Sequence, residues 1–476
     1  TEEVSNAFQA DIFEKGRLLA PLPEAWREFR GALQPYSTVY EAEHGVWASA
    51  SRPVFAALQA LFGMVGLDAL LNTVLTALSV LLVAAIARRL WPDRPDAAVL
   101  AAVLLATSPQ VLVTGMTGFA WPAHLCLNLL WVWLFLRGGI VGHALAAAAG
   151  AAAAGLHEVH VHALFILPFM FALLRDRRWG LAAFYTVVYG VAHLAWIFWV
   201  DLALLTLEPV AGAGPGEAAA VGLGYLGGLL GRIGGDGLLA PPLMAIGLLR
   251  LLAWLNPAVL VLLAVGVRPW SRLPSPLRMM ALGCLVSLIP YVLVTPSAMF
   301  GWGYLPLHGL LGSLVLLAVN GWVMLSADRS TTIQTVKRVV GGLTALALLV
   351  GLPLRTLQAR QFVGPEIAAI RHMQAIDADL AVIDTAGIWL WEPLIRNDPF
   401  LADRPLVLAM QYLTPEQMTA LCRDYRFVLV DAHDLGRFGV KRIERDLGRR
   451  ADSLTAVALR AIATSPRCAG RLPPSR

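Results

Sequence analysis

The chain has 476 residues, 58% of them apolar and only 14% charged, with a formal net charge of +5 and a mean hydropathy of +0.66. Soluble domains are nearer half apolar and about one quarter charged, so this balance excludes an ordinary soluble protein and points to a membrane. The positive balance does not call for nucleic acid as a partner, because most arginines stand in short loops between apolar runs, where they act as topology signals.

Residues 1–66 come first, as a long outer loop. Thr1 is followed by acidic, semi-polar sequence with no signal peptide, so the true start is expected upstream, with one further membrane helix there. The stretch from Thr1 to Leu18 is compatible with a helix ending at Gly16. Arg52–Val65, where apolar residues precede the first full span, reads as an interfacial helix. Charge-free stretches then set the spans: Ala69–Ala87, Gly138–Leu156, the shorter Val159–Leu174, Trp179–Val200, Leu251–Val267 and Val339–Leu354. All but Val159–Leu174 are roughly long enough to cross about 30 Å of hydrocarbon. Two longer stretches must fold as hairpins, Ala97–Leu136 around Gly115–Gly118 and Met279–Ser326 around Thr295–Gly303. The expectation is an all-α polytopic bundle of about ten spans over residues 67–355. Its outer loop at 201–250 carries interrupted apolar pieces that suit interfacial helices.

Alternate loops carry the cations: Arg88, Arg89 and Arg94; Arg137; Arg175, Arg177 and Arg178; Arg268, Arg272 and Arg278; Arg329, Lys337 and Arg338. The opposite turns, Gly115–Gly118, His157–His162 and Thr295–Gly303, have no Lys or Arg. The positive-inside rule therefore places residues 1–66, the 201–250 loop and the tail outside. The tail, 356–476, becomes soluble-like. Leu380–Asp384, Leu406–Ala409 and Phe427–Asp431 read as buried strands, with helices at Glu366–Ile376 and Pro415–Tyr425 between them. Thr414-Pro415-Glu416-Gln417 has the cap, first-turn proline and third-position Gln of a helix start. A small α/β outer domain follows. Four cysteines in this length do not suggest a disulfide framework or a metal site.

Several residues could carry chemistry. His157, Glu158, His160 and His162 stand at the outer mouth of a span. Imidazole and carboxylate suit Zn²⁺ or Mn²⁺, so a divalent metal is one reading, although the spacing is not that of a HExxH site. Interfacial histidines bonding headgroups or backbone are the plainer reading. Lining a polar cavity is the third, since ionisable groups at membrane depth are costly. Arg52, Arg232 and Arg250 flank apolar outer segments, where Arg could hold a lipid phosphate in bidentate fashion or simply snorkel. Trp121, Trp196, Trp199, Trp302 and Tyr304 fall near outer interfaces, as an aromatic belt would place them.

Three stretches carry a family resemblance. Glu2-Glu3 precedes a helix with aromatic residues and a Gly16-Arg17-Leu18 turn. Gly118-Phe119-Ala120-Trp121-Pro122-Ala123-His124 opens a later span, and His157-Glu158 leads to Leu167-Pro168. Together with the layout, these resemble the polyprenyl-phosphate-sugar-dependent glycosyltransferases of the GT-C fold, in the family 39-like group, over most of residues 1–355. The resemblance implies a bacterial inner-membrane enzyme with a periplasmic C-terminal domain, moving a sugar from a polyprenyl phosphate to an acceptor on the outer face. Glu2 would be the general base that takes the acceptor proton and Glu3 its orienting neighbour, with His124 and the His157–His162 cluster lining the pocket. The chain departs from the family in three places. Glu2 stands for Asp; Ser49-Ala50-Ser51-Arg52-Pro53-Val54 replaces a Tyr-Pro-Pro-Gly-like segment; and Trp121, Pro122 and His124 stand where many members carry a second acid. The alternative is a catalytically silent homologue serving as a structural subunit beside partner membrane proteins. A secondary transporter fits less well, because no repeated halves appear.

Overall fold

A computed structural model describes residues 2–34, 37–207, 224, 227, 228, 231, 239–268, 270–294, 302–327, 333–441, 454–465 and 468. Its principal elements run in chain order. The first loop holds α1 (Glu2–Glu14) and the strands β1 (Ala20–Pro21), β2 (Thr38–Glu41) and β3 (Val46–Ser49). Then come α2 (Pro53–Gly63), α3 (Leu71–Leu90), α4 (Pro95–Ala106), α5 (Pro109–Thr114), α6 (Trp121–Arg137), α7 (Gly139–Ala154), α8 (Val159–Arg175) and α9 (Trp179–Ile197). After the 201–250 region lie α10 (Ala240–Trp254), α11 (Pro257–Gly266), α12 (Ser275–Val286), α13 (Leu311–Ala327), α14 (Ile333–Leu346) and α15 (Leu352–Gln374). The tail adds β4 (Leu380–Ile383), β5 (Leu406–Ala409), α16 (Pro415–Asp424), β6 (Phe427–Val430) and α17 (Leu454–Ala463).

The chain divides into two compact units. One comprises Arg52–Leu202 with Gly216–Ala359; the other comprises Thr1–Ser51, Ala203–Pro215 and Arg360–Arg476. The first is helical. Five helices among the described residues are long and apolar enough to cross a membrane: Asp68–Leu90, Trp179–Ile197, Ser275–Leu293, Leu305–Ala327 and Ile333–Gln374. Shorter apolar helices accompany them. The expected single span at Leu251–Val267 is broken, because α10 and α11 meet at a 109° bend. Asn256 caps α11 by accepting a hydrogen bond from the Ala258 N–H, and Pro257 supplies the first turn. That combination starts a helix rather than continuing one. Close helix packing is glycine-dependent where α11 meets α13. A Cβ on Gly266 would collide with the Leu317 carbonyl, and one on Gly321 with the Leu262 carbonyl.

The second unit joins the first loop to the tail. Trp47 Nε1 donates to the Pro399 carbonyl at 2.8 Å, Asn397 Nδ2 to the Leu33 carbonyl at 2.9 Å, and Gln417 Nε2 to the Glu28 carbonyl at 2.8 Å. Phe8, Ile12, Trp26 and Trp47 share one apolar core with Leu380, Leu406, Met418 and Phe427. The first-loop strands form an antiparallel sheet, β1-β3-β2, that the sequence did not announce. The tail strands stand where the short apolar runs put them, in a parallel sheet of order β5-β4-β6. Thr414 and Gln417 make the expected reciprocal cap of α16. Two tail expectations are corrected. The helix expected at Glu366–Ile376 is the end of the continuous α15, whose register runs on from the span. Cys422 and Cys468, read as free of any disulfide framework, form a disulfide. Their sequence separation of 46 hides it, and the packing of α16 on α17 creates it.

Candidate functional site

The polar groups of the helical unit gather along α6 to α9. His124 sits in the first turn of α6, beside Trp121. His157 lies in the turn between α7 and α8, and His308 in the 3-10 turn Leu305–Leu310. The rings of Trp121 and His157 stand 3.9 Å apart between centroids, and those of His124 and His157 4.6 Å apart, both edge to face. Gly309 brings the 3-10 turn onto α6, for a Cβ there would lie 3.4 Å from His124 Cβ. His160 and His308 lie within electrostatic range of His124. Both ring nitrogens of His124, His157 and His308, together with Trp121 Nε1 and the Tyr304 hydroxyl, are buried without hydrogen-bond partners among the described residues. His124 and His308 are 0% exposed. Leaving a buried polar group unmade costs about 1–3 kcal/mol, and ring faces are only weak substitutes. Of these, Trp121, His124, His157 and His308 lie together, and such a set in one place is the signature of a site that a polar ligand completes.

One turn deeper, the same helices carry polar groups that are largely paired, with His162 Nε2 the atom left without a partner among the described residues. Asn128 Nδ2 donates to the Gly309 carbonyl at 3.0 Å, so its Oδ1 is the acceptor facing His162 Nδ1 at 2.7 Å. That network assigns the His162 proton to Nδ1 and leaves Nε2 as an acceptor. Trp131 Nε1 donates to the Tyr189 hydroxyl at 2.7 Å, leaving the phenol O–H free to donate. Gly150 makes room for both groups. A Cβ there would lie 2.5 Å from His162 Nε2 and would also collide with the Tyr189 hydroxyl. Nearer the basic loops, Arg178 reaches His143 Nε2 at 3.2 Å, and His143 Nδ1 faces the Tyr185 hydroxyl at 3.0 Å.

The residues expected from the sequence are distributed as follows. His124 and His157 come together, and His160 pairs with Glu158 at 3.8 Å. His162 turns its Nδ1 to Asn128, while still lying within electrostatic range of His124. Among the described residues, the group that brings three metal-ligating atoms within 4.8 Å of one another is Asp431, His433 and Asp434 in the other unit. Arg52 is 4% exposed and precedes α2, whose Val54 N–H donates to the Gly155 carbonyl at 3.0 Å, two residues before His157. Arg250 is half-buried on α10, and Arg232 lies outside the described residues. Glu2 and Glu3 occupy the first turn of α1 in the mixed unit, half-buried. Glu3 lies within electrostatic range of Glu366, which also senses Arg396 and Glu392. Behind the acidic pair, Ser5 bonds Ser49 at 2.7 Å and Ser51 at 2.9 Å, and Gln9 accepts from the Ser49 N–H at 3.0 Å. These bonds fix α1 against β3. His308 was not singled out in the sequence. The one available signal is a lone imidazole in the apolar run Leu305-Pro306-Leu307-His308-Gly309.

The helical unit also presents an apolar groove of about 640 Å³, lined by Thr73, Thr76 and Leu81 of α3, Gly115 and Met116 of the turn after α5, and Leu352 of α15.

No family model and no curated protein matches this sequence. Solved structures resemble the chain, among them two of one protein. The crystal structure of ArnT from Cupriavidus metallidurans in the apo state covers 89% of this chain and 86% of its own, at 14% identity and a TM-score of 0.47. The same protein bound to undecaprenyl phosphate covers 89% and 87%, at 15% identity and a TM-score of 0.52. At this identity the likeness is one of fold. The chain is a multi-pass membrane protein with the GT-C fold.

Proposed function

We propose that this protein transfers a sugar from a polyprenyl phosphate to an acceptor on the outer face of the membrane, as the family 39-like resemblance implies. The observation that carries the reading is the cluster of unpartnered nitrogens on His124, His157, His308 and Trp121. Neutral imidazoles and an indole N–H offer both donors and acceptors, which is what a polyhydroxyl sugar requires. Arg52, and Arg250 after it, is the cation proposed for the lipid phosphate. The apolar groove beside Gly115 and Met116 suits a prenyl tail, and undecaprenyl phosphate is the ligand of the similar ArnT structure. The Cys422–Cys468 disulfide supports an outer, oxidising location for the tail.

In this reading an acceptor hydroxyl oxygen attacks the anomeric carbon. The bond from that carbon to the phosphate oxygen breaks, and polyprenyl phosphate leaves. Glu2 takes the hydroxyl proton, with Glu3 beside it. Transfer from a polyprenyl-phosphate sugar by purified protein is the test. Glu2→Gln keeps size and hydrogen bonding but removes the base, so turnover should fall by roughly 10²–10⁴, and Glu3→Gln should lower it less. Full activity in both variants would remove the acidic pair from the reaction. The second reading, a silent subunit, is favoured by Trp121 and Pro122 standing where an acid is expected. It predicts no turnover and partner membrane chains in fixed ratio.

A further inference from the structure

A second groove, of about 520 Å³, runs along α4 and α14 in the helical unit. Val99, Leu100 and Val103 form one wall, and Val340, Gly341 and Thr344 the other. These are matched sets at i, i+1 and i+4, so each presents one helix face. Its polar end lies one turn earlier on both helices, at Asp96 and Lys337, among the arginine-bearing loops. There Arg94 grips Asp96 bidentately, at 2.9 and 2.8 Å, and Trp322 Nε1 donates to the same carboxylate at 2.7 Å. The Asp96 charge is thereby neutralised within the protein. Lys337 is exposed and makes no ion pair among the described residues, with Arg338 next to it. Gly341 keeps the groove open, since a Cβ at that position meets no heavy atom within 4 Å.

We propose that this groove is a binding site for an anionic phospholipid of the leaflet on the arginine-rich side. One acyl chain lies between α4 and α14, and the headgroup phosphate sits on Lys337. The apolar walls supply chain affinity that any phospholipid could use. The lysine, which makes no ion pair among the described residues, supplies the preference, because juxtamembrane cations attract anionic headgroups and do not distinguish neutral ones. This site is separate from the sugar-transfer reading. It draws on none of the residues assigned there and stands whether or not the protein is an enzyme.

The purified full chain, stripped of co-purified lipid, is tested by native mass spectrometry against phosphatidylglycerol and phosphatidylcholine of the same acyl composition. The wild type should retain one phosphatidylglycerol in roughly fivefold preference, the size expected for one added charge contact near the surface. Gly341→Phe fills the groove from a position with free space, so its thermal midpoint should hold while retention of both lipids falls. Lys337→Gln should keep chain binding and lose the preference. Equal retention of the two lipids by the wild type would overturn the proposal. So would phosphatidylglycerol retention unchanged in Gly341→Phe, which would place the lipid elsewhere.

Discussion

Two layers of the helix bundle, one turn apart on α6, use the same residue types to opposite effect. In the inner layer His162 bonds Asn128, which also bonds the Gly309 carbonyl, and Trp131 bonds Tyr189, so that only His162 Nε2 lacks a partner among the described residues of these two pairs. In the outer layer His124, His157, His308 and Trp121 bury their nitrogens and bond to nothing described. A satisfied buried network rigidifies a fold, whereas an unsatisfied one weakens it. The difference teaches that a buried histidine is not in itself evidence of function. What marks a site is the absence of a partner where one would lower the free energy.

Substitutions can break this contrast. The largest effect is expected at the outer layer. His124→Leu and His308→Leu should each lower sugar transfer by roughly 10²-fold or more, the size seen when one polar group contacting a transition state is removed. The same changes should leave the thermal midpoint unchanged or raise it, because they delete unpaired polar atoms. A large fall in midpoint would show that these imidazoles are structural after all. Asn128→Leu should do the reverse. It strands the His162 Nδ1–H and the Gly309 carbonyl, at a cost of about 2–3 kcal/mol in stability, with activity per folded molecule changing less. Unfolding of the double variant Asn128→Leu/His162→Leu sharpens the point, since coupled partners should deviate from additivity by about 0.5–3 kcal/mol. Additive losses would mean the 2.7 Å contact contributes little. The smallest effect is expected from Gly150→Ala, whose methyl must push aside the Tyr189 hydroxyl and His162 Nε2. Overpacking of this kind costs about 1–3 kcal/mol, read as a lowered midpoint, and an unchanged midpoint would show that the two side chains move freely.

Much of the architecture was legible along the chain. Apolar length marked the membrane helices, short continuous apolar runs marked β4, β5 and β6, and the Thr414–Gln417 cap marked the start of α16. Each of those signals is local, set by residues within a turn or two. His124, His157, Glu158 and His160 were legible as candidates because polar groups are conspicuous in apolar sequence. What they do was not, since pairing depends on residues such as Asn128 and Gly309, which stand 181 positions apart.

The sequence by itself determined that this protein lives in a membrane, that most of it is helical, and that its tail folds as a small α/β layer. The length and spacing of apolar runs suffice for these, because each follows from the solvent that a segment must face. Only the tertiary structure decided that the first loop and the tail share one core, that Cys422 meets Cys468, that the chain bends by 109° at Asn256-Pro257, and that His308 joins His124 while His162 turns to Asn128. These depend on contacts between residues distant in the chain, such as Trp47 with Pro399 across 352 positions. No local preference encodes such a pairing; it forms only when packing brings a donor to an acceptor that water no longer reaches.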